Sequence, residues 1–386
     1  MKHTLTIPLP PELTDHNTCR LMNLLGGDKS EPDTLFVGGV VRNMVLGVPV
    51  GDVDMATRYT PDEVMSRLAH NNITVIPTGF DHGTVTAVMD NRPYEITTLR
   101  RDVTTDGRRA DVAFTDSWAQ DSARRDFTMN ALYADMQGRV YDPTGQGISD
   151  IKNQRVRFVG SAQARVAEDY LRILRYFRFH LFYGAEEPDP EALQACREGA
   201  RNVMSLSRER ITQECKKILA HPQPSAVLSR MFDLGVLSDL PDHAYDPHIM
   251  SLYRGDDVIL RLFILNAMRN RDMSPWLLLS GADKKALTIL TQAYDFVTSY
   301  GMTEDKVREM MYRFGRDTAQ RACLVASFQA GRNVPEVPVQ DILTDWIIPV
   351  FPVRGDDLIR QGMKPGPEMG NRLKELEEKW IANGFN

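Results

Sequence analysis

The stretch Leu35 to Thr57, LFVGGVVRNMVLGVPVGDVDMAT, leaves few folds open to this chain. An apolar run meets Gly38-Gly39, and Val41, Arg42, Met44, Val45 and Leu46 then suit the first turns of a helix. A strand, a glycine turn and a helix start bring bare backbone N–H groups to one point. Such a point attracts an anion, and Arg42 adds a positive charge to it. Pro49 and Gly51 break the helix, and Asp52-Val53-Asp54 opens a second strand. Residues i and i+2 of a strand share a face, so Asp52 and Asp54 point together and Val53 points into the core. Two adjacent carboxylates repel unless a cation lies between them, and hard oxygen ligands favour Mg2+. Taken singly, a Gly-Gly turn is usually only a turn, and an Asp-x-Asp is more often a solvated loop or a cap. Together within so few residues, a phosphate cradle and paired carboxylates predict metal-assisted phosphoryl or nucleotidyl transfer.

Length and charge narrow the setting. The chain has 386 residues, enough for two or more domains with cores of their own, and its 42% hydrophobic and 25% charged content is that of an ordinary globular protein. No apolar run approaches the ~20 residues of a membrane span, and MKHTLTIPLPPELTD does not read as a signal peptide. Cys19, Cys196, Cys215 and Cys323 form no CxxC, which suits free thiols in a reducing cytoplasm. The eight histidines form no HExxH. A net charge of −6 argues against indiscriminate nucleic-acid binding, yet Ile151 to Tyr183 holds seven basic residues and two acidic ones, a local +5. A phosphate-bearing partner needs such a surface.

Along the chain, a short helix is expected from Asn17 to Leu25. Thr60-Pro61-Asp62-Glu63 spells an N-cap, a first-turn proline and a capping box for a helix to Ala69. Thr84–Met89 and Tyr94–Leu99 read as a β-hairpin around Asp90-Asn91-Arg92-Pro93, with Glu95, Thr97 and Leu99 on one face. Asp102 to Asp111, DVTTDGRRAD, reads as a mobile polar loop, and Arg139 to Tyr141 as a short strand. Past residue 158 the pattern turns helical, broken at Pro222 and Pro224 and by a loop from Asn333 to Pro338. The end reads as helix, a glycine-proline turn at Gly362 to Gly366, and helix.

Two further segments decide the chemistry. Arg124-Arg125-Asp126-Phe127-Thr128-Met129-Asn130 pairs two guanidinium groups, whose donor forks suit a triphosphate, with an acid that can accept from a ribose hydroxyl. The bland alternative is a surface Arg-Arg pair and a capping Asp. RVAEDYLRILRYFRFHLFY, Arg165 to Tyr183, is amphipathic at helical spacing. Val166, Tyr170, Ile173, Leu174, Phe177 and Leu181 share a stripe, while Arg165, Asp169, Arg172, Arg175 and Tyr176 face away. Asp169 and Arg172 are either an exposed i,i+3 ion pair or an acceptor beside a donor fork, which can match the Watson–Crick edge of a base.

GGVVRN, GDVDMAT, HGTVTAV, YEITTLRRD, DGRRAD, RRDFTMNAL and EDYLRILRYFRF occur in that order. The set resembles the tRNA nucleotidyltransferase family of bacterial and eukaryotic type, which includes CCA-adding enzymes and bacterial poly(A) polymerases. The resemblance is dense over residues 35 to 183 and looser through LSRERI and FPVRGDDLIRQG. It implies an α+β chain: a head like that of DNA polymerase β with a mixed sheet, then a helical neck, body and tail. The expected divisions are an N-terminal extension 1–30, a head 31–158, a neck 159–222 that reads the base, and a body and tail 223–386 that bind tRNA. By resemblance Asp52 and Asp54 hold catalytic Mg2+, and Glu95 is the candidate third carboxylate. Gly38, Gly39 and Arg42, with Arg124 or Arg125, lie at the triphosphate. Asp126 lies at the ribose, and Asn130 joins the nucleotide site. Asp169 and Arg172 pair with the base, and Arg175 and Arg178 line the same cleft. The implied reaction is template-independent CCA addition to the tRNA 3′ end from CTP and ATP, with no membrane and no protein partner marked in the sequence. The alternatives are a poly(A) polymerase, an enzyme adding only CC or only A, or a tRNA-binding protein without catalysis. Two departures stand out. Asn43 replaces a usual Asp, and Tyr170 replaces a common Pro, which predicts a more regular helix there.

Overall fold

A computed structural model describes all residues except 106–109, 238–245, 267 and 269–271. The chain divides into two compact units, Met1–Ile218 with Arg230–Ser238, and Leu219–Ser229 with Asp239–Asn386. Among the described residues no helix is long and apolar enough to cross a membrane.

The first unit begins with β1 (Leu5–Thr6), α1 (Pro11–Thr14), α2 (His16–Leu24), β2 (Thr34–Val37), α3 (Gly39–Leu46), β3 (Asp54–Thr57), α4 (Pro61–Ala69) and β4 (Thr74–Gly79). It continues through β5 (Thr84–Met89), β6 (Arg92–Thr98), β7 (Arg100–Thr105), β8 (Ala110–Phe114), α5 (Trp118–Ala123), β9 (Tyr133–Ala134), β10 (Arg139–Tyr141) and α6 (Gly147–Lys152). Eight strands form one mixed sheet in the order β1-β10-β9-β2-β3-β6-β5-β4, while β7 and β8 form a separate ribbon. All four residues of β2 are buried, as a central strand requires. Its neighbour β3 runs antiparallel to it and parallel to β6, with Asp54 in register with Glu95. Leu35, Val37, Ala56, Leu99, Trp118, Tyr133 and Tyr141 close the core over the sheet.

Local chemistry sets the element ends. Thr60 and Glu63 exchange both hydrogen bonds of the capping box expected for α4. Asp15 caps α2 one residue earlier than the sequence suggested. The β5–β6 turn places Asp90 at φ 48° and Asn91 at φ 62°, left-handed values that short polar side chains tolerate in a two-residue hairpin. Val53 is buried and Asp52 exposed, so the alternation across Asp52-Val53-Asp54 holds although β3 starts only at Asp54.

Three expectations need correction. Asp102 to Asp111 is not a plain loop: β7 and β8 pair antiparallel from Arg100↔Phe114 to Thr105↔Ala110, and Gly107 lies outside the described residues. Threonine and valine in DVTT and ADV favour strands, a signal the polar composition concealed. Leu99 lies beyond β6 and is fully buried, rather than continuing the face of Glu95 and Thr97. Arg165 to Tyr183 is not one helix but α7 (Ala162–Glu168) and α8 (Leu171–Tyr183). Asp169 is extended at φ −156°, ψ 105°, its Oδ1 accepts the Leu171 N–H at 3.1 Å, and its carbonyl accepts the Arg172 N–H at 2.9 Å. Those bonds satisfy donors that a new helix start leaves free, so substituting Pro by Tyr170 does not make the helix continuous. The buried face of α8 keeps Ile173, Leu174 and Phe177 of the expected stripe but is wider than that stripe. Tyr176, expected on the polar side, is fully buried, with ring centroids 5.6 Å from Phe158 and 6.1 Å from His180.

α9 (Pro190–Gly199) and α10 (Arg208–Leu219) follow, and α11 (Ser225–Asp233) crosses the division between units. The second unit holds α12 (Pro247–Leu252), α13 (Val258–Leu265), α14 (Gly281–Tyr300), α15 (Glu304–Phe314), α16 (Arg316–Gln329), α17 (Val337–Asp345), α18 (Gly355–Arg360) and α19 (Pro367–Ala382). Arg261 on α13 is completely buried, and its guanidinium donates to the carbonyls of Leu219, His221, Pro222 and Gly255. Aligned carbonyl dipoles replace the water a buried cation has lost.

The turn before β10 tests the sheet edge. Gly138 has φ 74°, and a Cβ there would sit 2.0 Å from the Ile7 carbonyl oxygen on the β1 side. Gly138→Ala is expected to cost about 3 kcal/mol in urea unfolding, from left-handed strain plus displacement of β1. A cost within about 0.5 kcal/mol of zero would contradict the packing described.

Candidate active site

β2 delivers the chain to Gly38, whose φ of 72° and ψ of −125° suit glycine, and α3 starts at Gly39 with no side chain capping it. The N–H groups of that first turn receive no side-chain cap from Gly38, and a helix start left so is the arrangement that receives an anion. Arg42, 8% exposed, rises from α3. Its guanidinium lies 4.2 Å from the Tyr183 ring centroid and 5.3 Å from that of Phe179, and Nη1 donates to Asn130 Oδ1 at 2.8 Å. Asn43 Oδ1 accepts from Arg42 Nη2 at 2.9 Å and so gives the guanidinium a partner without a charge.

β3 and β6 place Asp54 beside Glu95, with Asp52 two residues before Asp54. None of the three carboxylates has a hydrogen bond or ion pair to its side chain among the described residues. Burial, then Glu95, then Asp52 push the Asp54 carboxyl up to about 6, against a weaker pull from Arg125. Grouped carboxylates are the donor set of a hard divalent ion. Among the described residues no group of three His, Cys, Asp or Glu is gathered closely enough to hold an ion. The residues therefore fit an ion bound by one or two carboxylates and completed by substrate phosphates, as small divalent ions in phosphoryl-transfer sites are.

The motif RRDFTMN is assembled by an acid that the sequence reading missed. Asp121 on α5, 1% exposed, gives one oxygen to each arginine. Oδ1 accepts Arg124 Nε at 2.8 Å and Oδ2 accepts Arg125 Nε at 3.2 Å and Nη2 at 3.0 Å. Tyr133 Oη also donates to Oδ2, at 2.7 Å. Although burial alone raises a carboxyl, the two guanidiniums and the phenol outweigh it and hold Asp121 at about 2. The i,i+3 and i,i+4 spacing of Asp121 to the arginines was the available signal. Asp126 is held otherwise than expected. Arg175 Nε donates to its Oδ2 at 2.8 Å, and Asn130 Nδ2 donates to its Oδ1 at 3.2 Å. Arg42, Asn130, Asp126 and Arg175 thus form one continuous chain.

Asp169 and Arg172 do not pair with each other, so the simple surface ion pair is absent. Asp169 Oδ2 accepts Arg210 Nη2 at 2.7 Å. Arg172 pairs with Glu168 and donates to the carbonyls of Arg165 at 2.9 Å and Arg124 at 3.1 Å. Its Nε makes no hydrogen bond among the described residues. Arg178 donates Nε to Glu214 on α10 at 2.6 Å and lies over Phe179 at 4.5 Å. Long-range partners such as Arg210 and Glu214 carry no local spacing signal. The structure brings Gly38, Gly39, Arg42, Arg125, Asn130, Asp126 and Arg175 together, and Asp52, Asp54 and Glu95 together. Asp169 and Arg172 remain separately anchored at the start of α8.

The carboxylate strain is directly testable. Asp54 titrates near 6 in the fold against 3.8 in the open chain, so its contribution to stability is complete below pH 4 and is lost as pH rises through about 6. Asp54→Asn mimics the protonated acid. In chelator-treated protein it should be more stable than wild type by about 2 kcal/mol at pH 8 and equal to it near pH 4. Parallel urea curves at both pH values would show that the acids are not crowded.

The family model described as the poly(A) polymerase head domain matches residues 34–157, and one described as the probable RNA and SrmB-binding site of polymerase A matches residues 187–246. The mitochondrial CCA tRNA nucleotidyltransferase 1 of Danio rerio is 36% identical over 92% of this chain and 85% of its own length. The CCA-adding enzyme of a Geobacillus species is 31% identical over 91% of this chain and 89% of its own. The crystal structure of the Bacillus stearothermophilus CCA-adding enzyme in complex with CTP superposes with a TM-score of 0.76 at 27% identity, covering 96% of this chain and 94% of that one.

Proposed function

This chain belongs to the tRNA nucleotidyltransferase family that includes CCA-adding enzymes, and we infer from that premise that it adds C, C and A to the tRNA 3′ end from CTP and ATP without a nucleic-acid template. The observation that carries the reading is the phosphate turn at Gly38-Gly39 and Arg42 beside the crowded carboxylates Asp52, Asp54 and Glu95. We assign 31–158 as the head, 159–222 as the neck and 223–386 as the tRNA-binding body and tail, in a reducing cytoplasmic setting that suits four free cysteines.

The reaction is attack of the tRNA 3′-hydroxyl on the α-phosphate with release of pyrophosphate. A divalent ion held by Asp52 and Asp54, which we take to be Mg2+ from the hard oxygen donors, would lower the hydroxyl pKa and neutralise phosphate charge. Glu95 adds a third acceptor in register with Asp54. The α3 N-terminus, Arg42, Arg124 and Arg125 bind the triphosphate and orient its leaving group. Asp126, held between Arg175 and Asn130, retains lone pairs for the ribose hydroxyls.

Base choice follows from complementarity at Asp169 and Arg172. Cytosine offers acceptors O2 and N3 beside the N4 amine, and adenine offers N1 beside the N6 amine. Arg172 Nε–H can meet the ring acceptor, and an Asp169 oxygen can meet the amine. Uracil reverses both groups, leaving donor against donor and oxygen against carboxylate, at ~1–3 kcal/mol for each buried unpaired group. Arg175 and Arg178 line the same side of α8.

Purified protein incubated with labelled CTP, ATP and tRNA lacking its CCA end should extend it by C, C and A. Runs of A alone would make it a poly(A) polymerase, CC or A alone a partial enzyme, and no extension a binding protein. In the same assay Asp52→Ala or Asp54→Ala should abolish both additions and keep tRNA binding. Asp169→Ala should lower the preference for CTP over UTP by at least tenfold, and Arg172→Ala should damage C and A addition alike. Unchanged preference in Asp169→Ala would return that residue to a helix cap.

A further inference from the structure

Asp121 touches neither the phosphate turn nor the carboxylates, yet it decides how two arginines meet a substrate. Each guanidinium presents the same edge to it. Arg124 uses Nε at 2.8 Å and Nη2 at 2.6 Å on Oδ1, and Arg125 uses Nε at 3.2 Å and Nη2 at 3.0 Å on Oδ2. With that edge engaged, Arg125 Nη1 is turned to the phosphate turn, 3.5 Å from where a Gly38 Cβ would stand. The acid is itself fixed on its remaining sides. Tyr133 Oη donates to Oδ2 at 2.7 Å, and the Arg100 N–H at the root of β7 donates to Oδ1 at 3.4 Å. Arg124 Nε also donates to the Arg100 carbonyl at 3.1 Å, and the Arg124 carbonyl accepts from Arg172 Nη2. One buried carboxylate therefore sets the direction of both arginines.

The charge count matters as much as the geometry. Two guanidiniums against one carboxylate leave a net +1 at this point. Removing the acid's charge would raise the local charge to +2 while freeing both forks to rotate. Electrostatic attraction for a triphosphate is then kept, and the alignment needed at the reacting centre is lost.

We propose that Asp121 is a positioning residue for nucleotidyl transfer, which orients Arg124 and Arg125 for the transition state and contributes nothing to ground-state attraction of the nucleotide. The inference rests on the assignment of those two arginines to the triphosphate. A purely structural acid would change how much protein folds; a positioning acid changes turnover per competent site while nucleotide affinity persists.

The test uses full-length Asp121→Asn and Tyr133→Phe with tRNA lacking its CCA end, active sites being counted by the single-turnover burst, and CTP affinity measured separately by titration. Tyr133→Phe keeps the ring and removes one donor to Asp121, so it remains informative if Asp121→Asn folds poorly. The expected result is a fall in kcat per competent site of at least tenfold for Asp121→Asn and about threefold for Tyr133→Phe, with CTP affinity within twofold of wild type or tighter. Wild-type kcat per competent site in the folded variants would overturn the proposal, as would a loss of CTP affinity parallel to the loss of activity. Arg125→Ala supplies the control. If it leaves CTP affinity unchanged, the assignment of the arginines to the triphosphate fails; if it weakens CTP while the Asp121 and Tyr133 variants behave as wild type, only the positioning role fails.

Discussion

Most of the site rests on one physical constraint, the fixing of guanidinium groups by carboxylates before any substrate is present. An unpaired arginine is a flexible point of charge; an arginine gripped along one edge is a directed fork. Asp121 grips Arg124 and Arg125, Asp126 grips Arg175, Glu168 grips Arg172, and Glu214 grips Arg178. Arg42 is fixed differently, between the amide of Asn130 and the rings of Tyr183 and Phe179. These pairs leave the conformational cost of ordering long side chains to the folding of the chain, so that binding a nucleotide does not bear it again.

The carboxylates proposed for the reaction obey the opposite rule. Two parallel strands set Asp54 in register with Glu95, with Asp52 two residues before Asp54, and none of the three has an ion-pair partner among the described residues. Burial of Val53, Met55, Tyr94 and Ile96 makes the crowding unavoidable. The sheet core thus holds like charges together, and burial first, then Glu95 and Asp52, push the Asp54 carboxyl up.

Legibility in the sequence followed the range of each interaction. The turn at Gly38-Gly39, the alternation of Asp52, Val53 and Asp54, the Thr60–Glu63 box and the β5–β6 hairpin are all local, and the chain displays them within a few residues, although the hairpin turn is Asp90-Asn91 alone and Arg92-Pro93, expected in the turn, open β6. The break between α7 and α8 was hidden because its causes lie partly elsewhere: a cap from Asp169, a tether from Arg210, and Gly199 of α9, where a Cβ would lie 2.7 Å from Val166 and 3.0 Å from Ile173. A helical wheel put Tyr176 on the polar side, whereas Phe158 and His180 pack on its ring and widen the buried face of α8 to include it. The role of Asp121 was readable in principle from its spacing to the two arginines, but an acid near paired arginines is too common a pattern to single out.

In the function proposed above, a single prearranged set of side chains receives either nucleotide. Calorimetric titration of the free protein with non-hydrolysable α,β-methylene analogues of CTP and ATP tests it most directly. The expected result is one nucleotide bound per chain for either analogue, complete displacement of one by the other, and no further heat when both saturate. Two nucleotides bound at once, or displacement that stops short of completion, would contradict a shared site and require the two bases to be read by different parts of the molecule.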